Sequence, residues 1–212
     1  MLYLYDTIVD LNSPILPTED PIELTLINAT DSNIKTFKVP GSVRELEVQG
    51  SLTTYEVPEN IESMCCSSLG LQTIKLNKDL QFLICSNNNL ETIELPQGII
   101  SAWLDCNKLM SITAPEPLTS IETLDIRSNS FKNFDLKLPN TMWNFYIEGN
   151  PEIRIRHIDF VFNCDEYDNV TSLIHGDYQE LLCNGRLMEE YIRNKVAQHS
   201  YTGQKYIDFS NW

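Results

Sequence analysis

Residues 80–99, LQFLICSNNNLETIELPQGI, hold a two-part pattern of apolar and polar positions. Leu80, Leu83 and Cys85 come first, Asn88 and Leu90 follow, and Ile93, Leu95 and Pro96 close it. Alternation of period two over so short a run predicts a strand with one buried face. The three asparagines between the apolar runs are turn-type residues, yet they sit where a core should continue.

The pattern repeats. Aligned on Asn88, the next stretch, from Ile99, gives Ala102, Leu104, Asn107, Leu109, Ile112 and Pro115. From Ile121 come Leu124, Ile126, Asn129, Phe131, Phe134 and Pro139, and from Met142 come Phe145, Ile147 and Asn150. Upstream the units are Met64, Cys66, Leu71, Ile74, Leu76; then Leu46, Val48, Leu52, Tyr55, Val57, Pro58; then Leu24, Leu26, Ile34, Phe37, Val39, Pro40. Leu69 takes the asparagine place in one of these, with Asn77 at the proline place, and Ala29 and Ser51 take the asparagine place in the other two. Successive units lie roughly 18–22 residues apart, a period that signals a stacked repeat. One unit cannot bury its own apolar residues, so neighbouring coils must share a core. Their strands then pair in parallel about 4.8 Å apart.

The pattern apolar-x-x-apolar-x-apolar-x-x-Asn-x-apolar, followed by apolar-x-x-apolar-x-apolar-Pro, resembles the leucine-rich repeat family. The short unit with its Leu-Pro joint is similar to the repeats of bacterial effector proteins and of some large DNA viruses. The resemblance covers about residues 21–155. It implies an α/β leucine-rich-repeat solenoid with a parallel sheet on the concave face. The units look too short for a helix on the convex side, where polyproline-like or 3-10 segments are expected. Residues 1–20 read as an N-terminal cap. Residues 156–212, where the period fails, read as a largely helical C-terminal cap. That reading rests on Tyr178, Leu181, Leu182, Leu187, Tyr191 and Ile192.

At the corner where strand becomes return path, buried backbone groups lose their sheet partners, and an asparagine amide can both donate and accept. Asn88, Asn107, Asn129 and Asn150 are therefore expected to point inward as a ladder, with Asn87 and Asn89 outside. Positions between the inward ones should face the concave side. The central row would be Thr25, Glu47, Cys65, Ile84, Trp103, Asp125 and Tyr146. Phe82 lies in the row before it, and Asp105, Arg127 and Glu148 in the row after. Large apolar residues at outward places mark an interaction surface. The expected partner-binding set is Phe82, Ile84, Trp103 and Tyr146, with Asp105, Asp125 and Glu148 as an acidic rim and Arg127 its lone base. The other account is that the chain's own tail, or an oligomer partner, covers these residues.

Acidic residues outnumber basic ones 30 to 15, for a formal charge of −15. Such a chain repels nucleic acid and anionic lipid and suits a protein partner carrying basic residues. A monomer is favoured. The opening MLYLYDTIVDLN has no basic leading region, and no apolar run approaches membrane-spanning length. The six cysteines show no paired CxxC, which fits reduced thiols in a cytoplasmic setting, a host's cytoplasm if the chain is effector-like. Cys66 and Cys85 fall at the same inward place in adjacent coils, as two free thiols or as a disulfide. No catalytic residue, metal site or cofactor is identified. His157, Cys164, His175, Cys183 and His199 match no zinc spacing. The resulting expectation is a non-catalytic protein-interaction module. The alternative is a small enzyme or effector activity in the C-terminal segment.

Overall fold

The computed structural model describes residues 7–14, 21–134, 136, 138–139, 144–147 and 149–150. Beyond these it describes the backbone of 154–155, 159–164, 170–173, 182–183, 186–187 and 203–208. Residues 7–147 build a parallel β-solenoid. Its main sheet has eight strands: β1 (Thr7–Asp10), β2 (Glu23–Thr30), β3 (Glu45–Ser51), β5 (Ser63–Cys65), β7 (Phe82–Ile84), β9 (Ser101–Trp103), β11 (Thr123–Asp125) and β13 (Asn144–Tyr146). Each pairs in parallel with the next, one coil on.

In each three-residue strand the middle side chain is buried: Met64, Leu83, Ala102, Leu124 and Phe145. The residue that opens each coil is sealed as well. Val43, Ile61, Leu80, Ile99 and Ile121 are fully buried. These side chains form one continuous core between the two sides of the coil. Each fully buried Leu or Ile contributes about 1.5–3 kcal/mol relative to exposure.

The return side of the coil, opposite the main sheet, differs from expectation. Its described residues hold short strands rather than polyproline or 3-10 segments: β4 (Thr54–Glu56), β6 (Thr73–Lys75), β8 (Thr92–Glu94), β10 (Ser111–Thr113), β12 (Asn133–Phe134) and β14 (Arg154–Ile155). They pair in parallel as β4 with β6, β8 with β10, and β12 with β14. The reason lies in the second half of the repeat. Ile93 and Leu95 are both buried, so Thr92 and Glu94 point outward and the backbone is extended at a strand's period of two. Proline only closes this run. Val43, Ile61 and Ile99 each donate a backbone N–H to the proline carbonyl three residues before, which makes the joint a tight turn.

The C-terminal segment also departs from expectation. None of its described residues is helical. β15 (Asp159–Cys164) pairs antiparallel with both β16 (Val170–Leu173) and β19 (Gly203–Asp208). β17 (Leu182–Cys183) and β18 (Arg186–Leu187) pair antiparallel. Leu182 and Leu187, expected with their neighbours on one helix face, instead stand opposite each other in this strand pair. The remainder of the expected helix lies outside the described residues.

Candidate functional site

The outward rows of the main sheet follow the strand register. Thr25, Glu47, Cys65, Ile84, Trp103, Asp125 and Tyr146 stand side by side, each paired with the next. Glu23, Glu45, Ser63, Phe82, Ser101, Thr123 and Asn144 form the parallel row. In the middle of the face, Phe82 and Ile84 are 43% and 45% exposed. They flank the buried Leu83 on a single three-residue strand.

Trp103 and Tyr146 are half-buried, because they lean on each other. Their strands β9 and β13 lie on either side of β11, about 9.6 Å apart. Their ring centroids are only 6.1 Å apart, with planes inclined at 28°. The two rings thus close over the strand between them.

Under that roof Asp125 is completely buried, which corrects the expectation of an exposed acidic rim. A buried carboxylate must be paired and hydrogen-bonded to be tolerated. Arg127 supplies both. Its backbone N–H donates to Asp125 Oδ1 at 3.0 Å, Nε reaches both carboxylate oxygens at 3.0 Å, and Nη2 reaches Oδ2 at 2.6 Å. The Arg127 guanidinium also lies 5.0 Å from the Tyr146 ring centroid, a cation–π contact. Asp125 and Arg127 therefore hold the aromatic pair in place and cancel each other's charge.

Asp105 stays on the rim and accepts a hydrogen bond from the Ser86 hydroxyl, while the Ser86 N–H donates to Ser67 Oγ at 3.1 Å. Glu148 lies outside the described residues. Toward the N-terminal end the face is acidic. Glu23 and Glu45 stand opposite each other in register, and Glu47 accepts from Gln49 Nε2 at 2.7 Å. Glu23, Glu45 and Glu47, with Ser63 and Cys65, line a shallow cleft of about 170 Å³.

The thiols on this side are held protonated. Partial burial pushes the Cys65 thiol up. Desolvation, then a bond to Asp105, does the same at Cys106. A thiol raised in this way is a poor nucleophile. Inside the core, Cys66 and Cys85 are free thiols, and their mutual hydrogen bond, followed by burial, holds Cys66 protonated. Among the described residues no group of His, Cys, Asp and Glu is placed to hold a metal ion.

The four asparagines at the corners are buried. Asn88 Oδ1 accepts from the N–H groups of Leu69, Gly70 and Leu71 in the preceding coil at 2.9–3.1 Å. Its Nδ2 donates to the Cys66 carbonyl at 2.9 Å and to its own coil's Cys85 carbonyl at 3.2 Å. Asn107, Asn129 and Asn150 repeat the arrangement. They accept from Leu90, Leu109 and Phe131, and they donate back to Cys85, Leu104 and Ile126. Asn87 is exposed and Asn89 half-buried.

Two features escaped the sequence reading. Asn60 and Asn77 form a smaller ladder at the opposite corner. Asn60 donates to the carbonyls of Pro40 and Val43, and Asn77 to those of Pro58 and Ile61. The signal was present in VPENI and LNKDL, where an asparagine stands near the joint. In addition, the residue before every corner position except Ser51 takes a left-handed conformation: Asn28, Ser68, Asn87, Cys106, Ser128 and Gly149. Asparagine, serine and glycine at this place are the signal. Compared with known proteins, the chain matches no family model, no curated protein and no solved structure.

Proposed function

We propose that the chain is a short-repeat leucine-rich-repeat solenoid that works as a non-catalytic protein-interaction module and receives its partner on the concave face. The observation that carries this reading is the exposure of Phe82 and Ile84 beside the stacked Trp103–Tyr146 pair, at the centre of that face. Burying large apolar side chains is the main favourable term in association, and exposed clusters with a polar rim are where proteins dock. The Asp125–Arg127 pair supports the reading, since it fixes the aromatic rings before any partner arrives and lowers the ordering cost of binding. Free thiols at adjacent inward positions suit a reducing compartment such as the cytoplasm, including that of a host cell.

The test replaces Trp103 with Glu and measures capture of partner proteins from cell lysate, with circular dichroism and melting as controls. The reading expects the fold to persist and capture to be lost. Capture equal to that of the unaltered chain would refute it.

A further inference from the structure

We propose that Cys66 and Cys85 form a redox modification site, at which a peroxide converts the two core thiols into a disulfide that staples adjacent coils together. The inference is independent of the partner reading. Three observations carry it. First, register sets the two residues side by side. β5 and β7 pair as Met64 with Leu83 and Cys65 with Ile84. The Cys66 N–H continues the ladder, donating to the Ile84 carbonyl at 2.8 Å. Adjacent strands lie about 4.8 Å apart, inside the roughly 4.4–6.8 Å between Cα atoms that a disulfide spans. Second, both side chains are completely buried in the shared core, and the two thiols already share a hydrogen bond. Third, the corner amide of Asn88 holds both residues. Its Nδ2 donates to the Cys66 carbonyl at 2.9 Å and lies 3.4 Å from Cys85 Sγ. The pair can therefore close by side-chain rotation, with the coil backbone in place.

Burial gates the reaction. The bond to Cys85, then desolvation, hold the Cys66 thiol protonated, and the thiolate is the reactive form. Oxidation waits on opening of the coil, so mild warming speeds it. In the opened coil one thiolate attacks the peroxide. An S–O bond forms, the O–O bond breaks, and water leaves a sulfenic acid behind. The other thiolate attacks that sulfur, the S–S bond forms, the S–O bond breaks, and a second water departs. Both sulfurs are oxidised, the peroxide is reduced, and the two thiol protons end in the waters. An external dithiol reverses the step. The disulfide closes the chain from Cys66 to Cys85 into a loop, which disfavours the unfolded state. It restrains β5 and β7 against reopening, and with them Phe82 and Ile84.

The experiment warms the full chain with hydrogen peroxide below its melting temperature. Remaining thiols are then alkylated with N-ethylmaleimide in denaturant, and tryptic peptides are mapped by mass spectrometry. A sample reduced with dithiothreitol runs alongside. We expect the peptide holding Cys66 joined to the peptide holding Cys85 within one chain. The oxidised chain should melt about 5–10 °C above the reduced one. Cys65 shares a tryptic peptide with Cys66, and Cys106 shares one with Cys85, so variants assign the link. Link and shift should persist in Cys65→Ser/Cys106→Ser and vanish in Cys66→Ala and in Cys85→Ala. Should an alanine variant fail to fold, the map of the unaltered chain and of Cys65→Ser/Cys106→Ser still decides. Alkylation of both Cys66 and Cys85 after peroxide treatment would overturn the inference. So would a link that survives Cys66→Ala, or an oxidised chain that melts no higher than the reduced one.

Discussion

The corner after β2 and β3 and the corner after β7 and β9 solve one problem in two ways. Both must turn a buried chain without orphaning its backbone. At the first, the strands run on through the turn after an irregularity at Asn28, so that Ala29 pairs with Gly50 and Thr30 with Ser51. Backbone meets backbone, and a small residue suffices at the corner position. Asp31 then reaches across to the next coil, accepting from Thr53 N–H at 2.8 Å and from its hydroxyl at 2.6 Å. At the second, the strands are three residues long, and the side-chain amides of Asn88 and Asn107 replace the missing pairing. The missing asparagines in the first coils are thus a different closure rather than a decayed repeat.

Substitutions can break this comparison. A large effect is expected at Asn88→Ala, which leaves three N–H groups and the Cys66 carbonyl of a buried corner without this partner, while the Cys85 carbonyl keeps Asn107. Chemical denaturation should show a loss of about 4 kcal/mol, and a loss below about 1 kcal/mol would mean that the ladder is dispensable. Next comes Gly50→Ala. A Cβ there would stand 2.6 Å from the Ala29 nitrogen and closer still to its oxygen, where backbone cannot yield cheaply. The same measurement should give a loss of about 2–3 kcal/mol. Gly98→Ala meets open space and should stay within about 0.5 kcal/mol.

A smaller effect of opposite sign is expected at Cys106. Its φ of 55° is one that asparagine or glycine adopts more readily. Cys106→Gly should raise the melting temperature, by an amount equivalent to about 0.5–1 kcal/mol. The smallest effect concerns Asp31. The Thr53 hydroxyl, then its N–H, hold the Asp31 carboxyl below the usual carboxylate range. Stability from a depressed carboxyl is present above the unfolded value near 3.9 and is lost as pH falls through the folded value. Melting temperatures of the unaltered chain and of Asp31→Asn should differ above the ordinary carboxylate value of about 4 and converge as pH falls through the lower folded value. A difference that persists in acid would detach Asp31 from the corner.

The spacing of Leu83, Cys85, Leu90 and Ile93 made the coil legible, because one buried face at a period of two leaves little freedom. So did the alternation of Phe82, Leu83 and Ile84. Three things were less visible. The strands of the return side were masked by a proline that only closes them. Asp125 looked exposed by register, but burial depends on the rings of Trp103 and Tyr146 closing above it, which no local pattern encodes. In the C-terminal segment, Leu182 and Leu187 read with their neighbours as one helix face, and pairing between distant strands such as β15 and β19 leaves no periodic trace.

Leu83 and Ile84 are neighbours in the chain and opposites in the fold, one fully buried and one exposed. The most direct test compares Leu83→Asp with Ile84→Asp in the full chain, by melting and by capture of partner proteins. Leu83→Asp should cost at least about 4 kcal/mol, because it buries an unpaired charge. Ile84→Asp should melt as the unaltered chain does and lose its partner. An Ile84→Asp chain that unfolds like its neighbour, or that folds and still captures the same partner, would contradict the account.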